Sequence, residues 1–244
     1  MKDKIKGKIK KSAMWGMIEP LRRTYVNKKY YRYYSYSQRG EDLIVVSLLG
    51  DRIKDLKKKL AYLDIGANDP VKLSNTYLLH SKYGLRGGLV EANPTLITQL
   101  KRERKGDIVL NVGLSDKNGS LPFYIMESDV LSTFDYKAAQ EMERMGASRI
   151  RSKIDVPVVT FTEVVKKHFN SKCPYIVSID TEGHEMTILN SIDFDRYRPY
   201  IMIVETMNFE SGEKEDEIIN FLLSKNYCVA ADTSINSIFV DTSI

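Results

Sequence analysis

Two groups of acids carry the chemistry of this chain. Asp64 stands just ahead of Gly66 and Ala67, and Glu91 closes the apolar run that follows. A strand that turns on small residues into a helix presents backbone N–H groups to a ligand. An acid at the end of the next strand can hold both hydroxyls of a ribose. Together they point to an adenosine-containing ligand. A dinucleotide would require G-x-G-x-x-G for its pyrophosphate. This loop has one glycine, and Asp64 would repel phosphates. The ammonium and sulfonium charges of S-adenosylmethionine suit it instead. An ordinary βα turn with nothing bound is the plainer alternative. The second group is Asp180-Thr-Glu-Gly-His-Glu185, three acids and a histidine in six residues. Crowded acids raise one another's pKa and can supply a general base.

Strands must deliver these residues. Apolar runs predict strands at Tyr62–Ile65, Gly87–Val90, Ile108–Gly113, Tyr175–Asp180 and Tyr200–Glu205. Helices are expected from Ser37, which would cap a first turn holding Glu41 and Asp42, and over Lys72–Tyr83, Pro94–Arg104, Glu185–Leu189 and Glu213–Lys225. Thr162 is expected to cap a helix ending at His168. Leu121–Met126 reads as a hairpin arm, and Ile154–Phe161 as a strand held near an edge by Pro157. Residues 127–150 lack a strand pattern and read as a mobile helical excursion over the site. Tyr227–Ala231 and Ser237–Val240 read as a closing pair. Strands alternating with helices imply a largely parallel sheet.

The 244 residues suffice for one large domain or two small ones. No apolar run approaches the ~20 residues that span a bilayer, and the N-terminus lacks a secretion signal. The two cysteines, Cys173 and Cys228, read as buried thiols in a reducing compartment. With three histidines they show no zinc-ligand spacing. Residues 1–34 hold eleven Lys/Arg against Asp3 and Glu19, a net +9, so the +5 of the whole chain leaves −4 for the rest. An acidic body argues against nucleic acid as its substrate. The basic arm, residues 1–36, reads as a dispensable docking segment. Its Ile5/Ile9 spacing also fits a helix lying on an anionic membrane surface. Residues 37–244 are the expected catalytic domain.

Six short motifs occur in order: S-Q-R-G-E-D at 37–42, L-D-I-G-A-N-D-P at 63–70, S-N-T at 74–76, G-L-R-G at 84–87, V-E-A-N-P at 90–94 and D-T-E-G-H-E at 180–185. Together they resemble the FkbM-type family of S-adenosylmethionine-dependent O-methyltransferases. The resemblance covers roughly residues 35–240. It implies an α/β, Rossmann-like class I methyltransferase fold: a seven-stranded, mostly parallel sheet with an antiparallel last strand and helices on both faces. It also implies O-methylation in antibiotic or bacterial surface-glycan biosynthesis. The expected acceptor is a sugar hydroxyl, nucleotide-linked or in a polysaccharide precursor. The expected location is cytoplasmic, with peripheral membrane contact through the arm. A fold retained only for binding, docking a membrane-associated glycan assembly, is the alternative.

The resemblance places Asp64, Gly66 and Asn68 around the methionyl end of the cofactor and Glu91 on the ribose. Asn93 lies near the adenine, with Ser115 and Asp116 facing it. Gln38 and Glu41 close over the cofactor. Ser74 and Asn75, with Thr76, either cap the next helix or touch the carboxylate. On the acceptor side Asp180 is the first candidate for the base and His184 the second, with Glu182 and Glu205 in the same crevice. A divalent metal on Asp180, Glu182 and Glu205 ranks below the base as a use for these acids.

Overall fold

The structure, a computed structural model, describes residues 34–57, 59–207 and 212–243. Residues 1–33 of the basic arm, with the Ile5/Ile9 face, lie outside them. Residues 35–244 cluster as one unit.

The parallel strands are β1 (Leu60–Ile65), β2 (Arg86–Val90), β3 (Ile108–Leu110), β7 (Ile176–Ile179) and β8 (Ile201–Glu205). The sheet is completed by β9 (Tyr227–Asp232) and β10 (Asn236–Asp241), in the order β3-β2-β1-β7-β8-β10-β9. β10 runs antiparallel to both its neighbours, β8 and β9. This mostly parallel seven-stranded sheet with an antiparallel last strand is the arrangement the motifs implied. A separate sheet, β4-β6-β5, is formed by Gly113–Leu114, Ile150–Val159 and Gly119–Met126 in that order.

The two-residue period of a strand explains the layers. In β8, Ile201 and Ile203 face one apolar cluster while Met202 and Val204 face the other. The first cluster is covered by α1 (Glu41–Leu49), α2 (Ile53–Leu56), α3 (Tyr77–Ser81) and α4 (Ile97–Glu103). The second is covered by α6 (Phe161–His168), α7 (Glu185–Asn190) and α8 (Asp216–Ser224). Between them in sequence, α5 (Tyr136–Arg144) packs Ala139 and Met142 beside the small sheet.

Several expected boundaries move. The helix expected over Lys72–Tyr83 is only α3, because Ser74 and Asp69 spend their side chains on turn N–H groups before it. Helix α1 has Gly40, in a left-handed conformation, at its N-cap; Ser37 instead accepts the N–H of Asp42. Thr160 rather than Thr162 caps α6, its hydroxyl accepting the N–H of Glu163 at 3.2 Å. Pro157 lies in the middle strand of the small sheet, opposite Ser120. It is tolerated because β4 pairs only with Val158 and Val159. Cys173 is half-buried and Cys228 is exposed on the edge strand β9, so neither is a fully buried thiol.

One buried polar network holds the first half of the sheet. Arg104, 1 % exposed, donates to the Asp107 carboxylate at 3.0 Å and to Tyr62 Oη at 3.0 Å. It also donates to Thr76 Oγ1 at 2.8 Å, and Thr76 in turn donates to Asp64 at 2.6 Å. Burial alone would raise the pKa of Asp107. Contacts from His80, Arg104, Tyr62 and the Gly87 N–H outweigh it and hold Asp107 below the usual carboxylate range. Removing one partner of a buried ion pair strands the other. Arg104→Leu should therefore cost about 3–5 kcal/mol of unfolding free energy. Urea denaturation would show this as a lowered midpoint, and an unchanged midpoint would refute the role.

Candidate active site

The sheet order reverses beside β1, between β2 and β7, which is where an open α/β sheet forms its crevice. The loop after β1 enters that crevice under a tight constraint. Gly66 has φ 82°, and a Cβ placed there would sit 1.7 Å from the carbonyl oxygen of Asp180. No other residue fits. The N–H groups of Gly66 and Ala67 both go to the Val90 carbonyl, at 3.0 and 3.1 Å. The Asp180 N–H goes to the Ile65 carbonyl at 3.0 Å. The ends of β1, β2 and β7 are thus tied together below the cleft.

Asp64 and Glu91 face this cleft from two adjacent strands. Asp64 is buried and its pKa is raised by burial, against the opposing effects of the Thr76 hydroxyl and the Arg104 charge. Glu91 accepts the N–H of Asn68 on one oxygen and the N–H of Asn93 on the other, each at 2.7 Å. Those bonds fix its plane but only partly offset burial, which pushes Glu91 up to about 7. Gln38, Asn68, Ser74 and Asn75 also line the cleft. Ser74 accepts the N–H of Tyr77 at 3.2 Å, while Asn75 donates to Ser178 at 3.1 Å.

The second group of acids stands at the ends of β7 and β8. Asp180, Glu182 and Glu205 each place a carboxylate oxygen within 4.8 Å of the others. Burial pushes Asp180 up to about 7, with the Glu185 charge adding to it and a hydrogen bond from Glu205 opposing. Glu182 and Glu205 are raised well above the ordinary carboxylate range, first by burial and then by the Asp180 charge. Glu185 is different. It takes the N–H and hydroxyl of Thr181 at 2.7 and 2.8 Å and the N–H of Gly183 at 3.0 Å, which shapes the loop. His184 lines the cleft against the Phe134 ring, and burial lowers its pKa.

Four of the expected residues are not among those that line the cleft. Glu41 does not line the cleft. Its carboxylate, 0 % exposed, accepts Thr233 Oγ1 at 2.6 Å, Asn236 Nδ2 at 3.1 Å and the Arg39 N–H at 2.8 Å, clamping α1 to the β9–β10 turn. Asn93 is buried directly behind the cleft wall, where it orients Glu91 and donates to Asp129 at 3.2 Å. Ser115 and Asp116 miss the cleft because β4 turns into the small sheet, where the Ser115 N–H bonds to the Val159 carbonyl. Their expected wall is provided by Val112, Gly113 and Leu114. Sequence reasoning missed Asp129–Ser132 and Phe134, which close the cleft from the stretch expected to be a mobile helix. That stretch is tied down: Thr133 pairs with Tyr124 and donates to the Glu182 carbonyl at 2.7 Å. No local pattern marks those residues, because the small sheet positions them.

A second cavity, about 400 Å³, adjoins the cleft. Glu182 and Glu205 line both, so the acid cluster is the wall between them. Its far side is formed by Met142, Met145 and Met207 with Asp135, Glu141 and Glu215, and Lys137 is the one cation among its described lining residues.

Comparison with known proteins agrees with this geometry. Residues 64–229 match the methyltransferase FkbM domain. No curated protein matches the sequence. Solved structures similar to the chain include a TehB-like SAM-dependent methyltransferase from Corynebacterium glutamicum, with TM-score 0.41 and 9 % identity over 93 % of this chain and 99 % of that one. A precorrin-6y C5,15-methyltransferase from Geobacter metallireducens gives 0.37 and 12 % over 78 % and 85 %. The Pyrococcus abyssi tRNA (uracil-54, C5)-methyltransferase, in complex with S-adenosyl-L-homocysteine, gives 0.38 and 11 % over 86 % and 40 %. These structural likenesses are distant, and the domain match decides the matter. It begins at Asp64 and runs through the sheet into β9, which places the chain in the FkbM family of S-adenosylmethionine-dependent methyltransferases.

Proposed function

We propose that the protein transfers the methyl group to a hydroxyl of a sugar, with Asp180 as the base. The observation that supports this is the position of Asp180, Glu182 and Glu205 at the wall between the cofactor cleft and the side cavity. Bound S-adenosylmethionine supplies an electrophilic methyl on a sulfonium. The chain's own residues fit that cofactor: the missing side chain at Gly66 lets the loop lie against the end of β7 at the edge of the cleft, and Glu91 presents an oriented carboxylate for a diol. Asp64, anchored by Thr76, offers negative charge to the amine or the sulfonium.

On the acceptor side, the hydroxyl oxygen forms the new C–O bond as the C–S bond breaks, and its proton passes to Asp180. A base with a pKa near the working pH is well matched to this task, and burial gives Asp180 such a value. His184, neutral through burial, is the second candidate. The acid-rich wall disfavours a diphosphate there, so a nucleotide-linked acceptor would seat its sugar in the side cavity and keep its phosphates outside. No helix among the described residues is long and apolar enough to cross a membrane. We assign the basic arm a docking role, on the domain or on anionic lipid, and none in the chemistry.

Three outcomes check these assignments. Asp180→Asn should lower kcat on the order of 10²–10⁴ while S-adenosylhomocysteine affinity changes much less, as judged by labelled methyl transfer to a panel of sugars and by calorimetry. If His184→Gln shows that loss instead, the base is His184. For Glu91, ribose hydroxyls donate, so the ionised form binds; affinity for S-adenosylhomocysteine should rise with pH through about 7, and Glu91→Gln should remove that part of the rise. In the free protein the sign is opposite. A carboxyl raised above its ordinary value of 4.5 stabilises the fold below that value, and the contribution is lost as pH rises through about 7. Finally, deletion of residues 1–30 should leave a folded protein that binds S-adenosylhomocysteine; aggregation of the truncated chain would contradict a docking role.

A further inference from the structure

We propose that Asp180, Glu182 and Glu205 bind a divalent cation, Mg²⁺ or Mn²⁺, in the wall between the cofactor cleft and the side cavity. The proposal rests on the hydroxyl acceptor above and deepens it. Asp180 and Glu182 come from the loop between β7 and α7 and Glu205 from the end of β8, and their oxygens converge within 4.8 Å. An independent observation concerns what surrounds them. Oε2 of Glu182 is fully buried and has no hydrogen-bond partner among the described residues. The nearby donors are committed elsewhere: both N–H groups of Thr181 and Gly183, and the Thr181 hydroxyl, go to Glu185. Among the described residues, no lysine or arginine forms an ion pair with any of the three acids.

A hard donor set of three carboxylate oxygens selects Mg²⁺, Mn²⁺ or Ca²⁺ over softer metals. Because Glu182 and Glu205 line both cavities, an ion held there has an entry path and open positions toward the acceptor. Two adjacent hydroxyls of a sugar would complete its coordination. The ion would lower the pKa of the reacting hydroxyl and orient it. Asp180 can give one oxygen to the ion and keep the other for the acceptor proton. Protons held by these carboxyls leave to solvent as the ion binds.

The test is titration of Mn²⁺ into the full-length protein, followed by electron paramagnetic resonance, with S-adenosylhomocysteine binding measured in parallel. One saturable Mn²⁺ per chain, displaced by Mg²⁺, is expected. Glu182→Gln should weaken it about tenfold or more, and the Glu182→Gln/Glu205→Gln double variant should lose it, with an unchanged thermal unfolding midpoint showing that both variants are folded. Absence of saturable Mn²⁺ binding in the unmutated protein, when it binds S-adenosylhomocysteine, overturns the proposal; so does Mn²⁺ affinity unchanged in the double variant. Either result leaves methyl transfer to a hydroxyl standing. Conversely, Mn²⁺ binding without methylation of any sugar hydroxyl supports the ion site and removes the acceptor assignment.

Discussion

The contact between Gly66 and the Asp180 carbonyl is the constraint on which the site depends. It brings the loop that follows the first strand against the end of the fourth parallel one, with no side chain between. Asp64 and Asp180 therefore face a common space, although 116 positions separate them in sequence. Larger residues at position 66 would push the loop off β7 and separate the cofactor cleft from the acids beyond it. The backbone bonds from Gly66, Ala67 and Asp180 into the strand ends make that contact rigid.

Behind this contact stands the Arg104 network, which links α4, the loop before α3 and strand β1. Its donors satisfy Thr76, and Thr76 satisfies one oxygen of Asp64. A buried polar group costs free energy unless paired, so the network fixes the loop geometry as a unit. Glu41 plays the corresponding part on the other side, tying the N-terminal helix of the domain to the β9–β10 turn. Burial would raise its pKa, but hydrogen bonds from Thr233, Arg39 and Asn236 hold it below the ordinary value. Its chemistry is that of a clamp.

Much of this was legible in the sequence, and the reason differs from residue to residue. Asp64, Gly66, Glu91 and Glu205 were legible because they end apolar runs, and the end of a parallel strand has only one crevice to face. The sheet and its closing strand pair followed from the same runs. Arg104 was not legible: it lies in Lys101-Arg-Glu-Arg-Lys105, which reads as a solvated helix end, and only the fold buries it. Glu41 and Asn93 were read as ligand contacts because they stand in the motifs that carry the family resemblance. Tertiary hydrogen bonds consume them instead. Asp129–Ser132 were hidden for a third reason: a small sheet with a short β4 and a bulged β5–β6 register aims them at the cleft, and nothing local encodes that direction.

The placement of β10 has a further consequence for how the chain is made. The strand is synthesised after β8 and β9 yet lies between them. Until it emerges, β8 has an open flank, and Ile203 and Val204 on that strand are unpaired on the side that β10 later fills. An apolar strand with free N–H and carbonyl groups is a template for pairing with another chain. Until β10 is in place, the strand carrying Glu205 has an unprotected edge. Premature termination before Asn236 would leave that edge open to pairing with another chain.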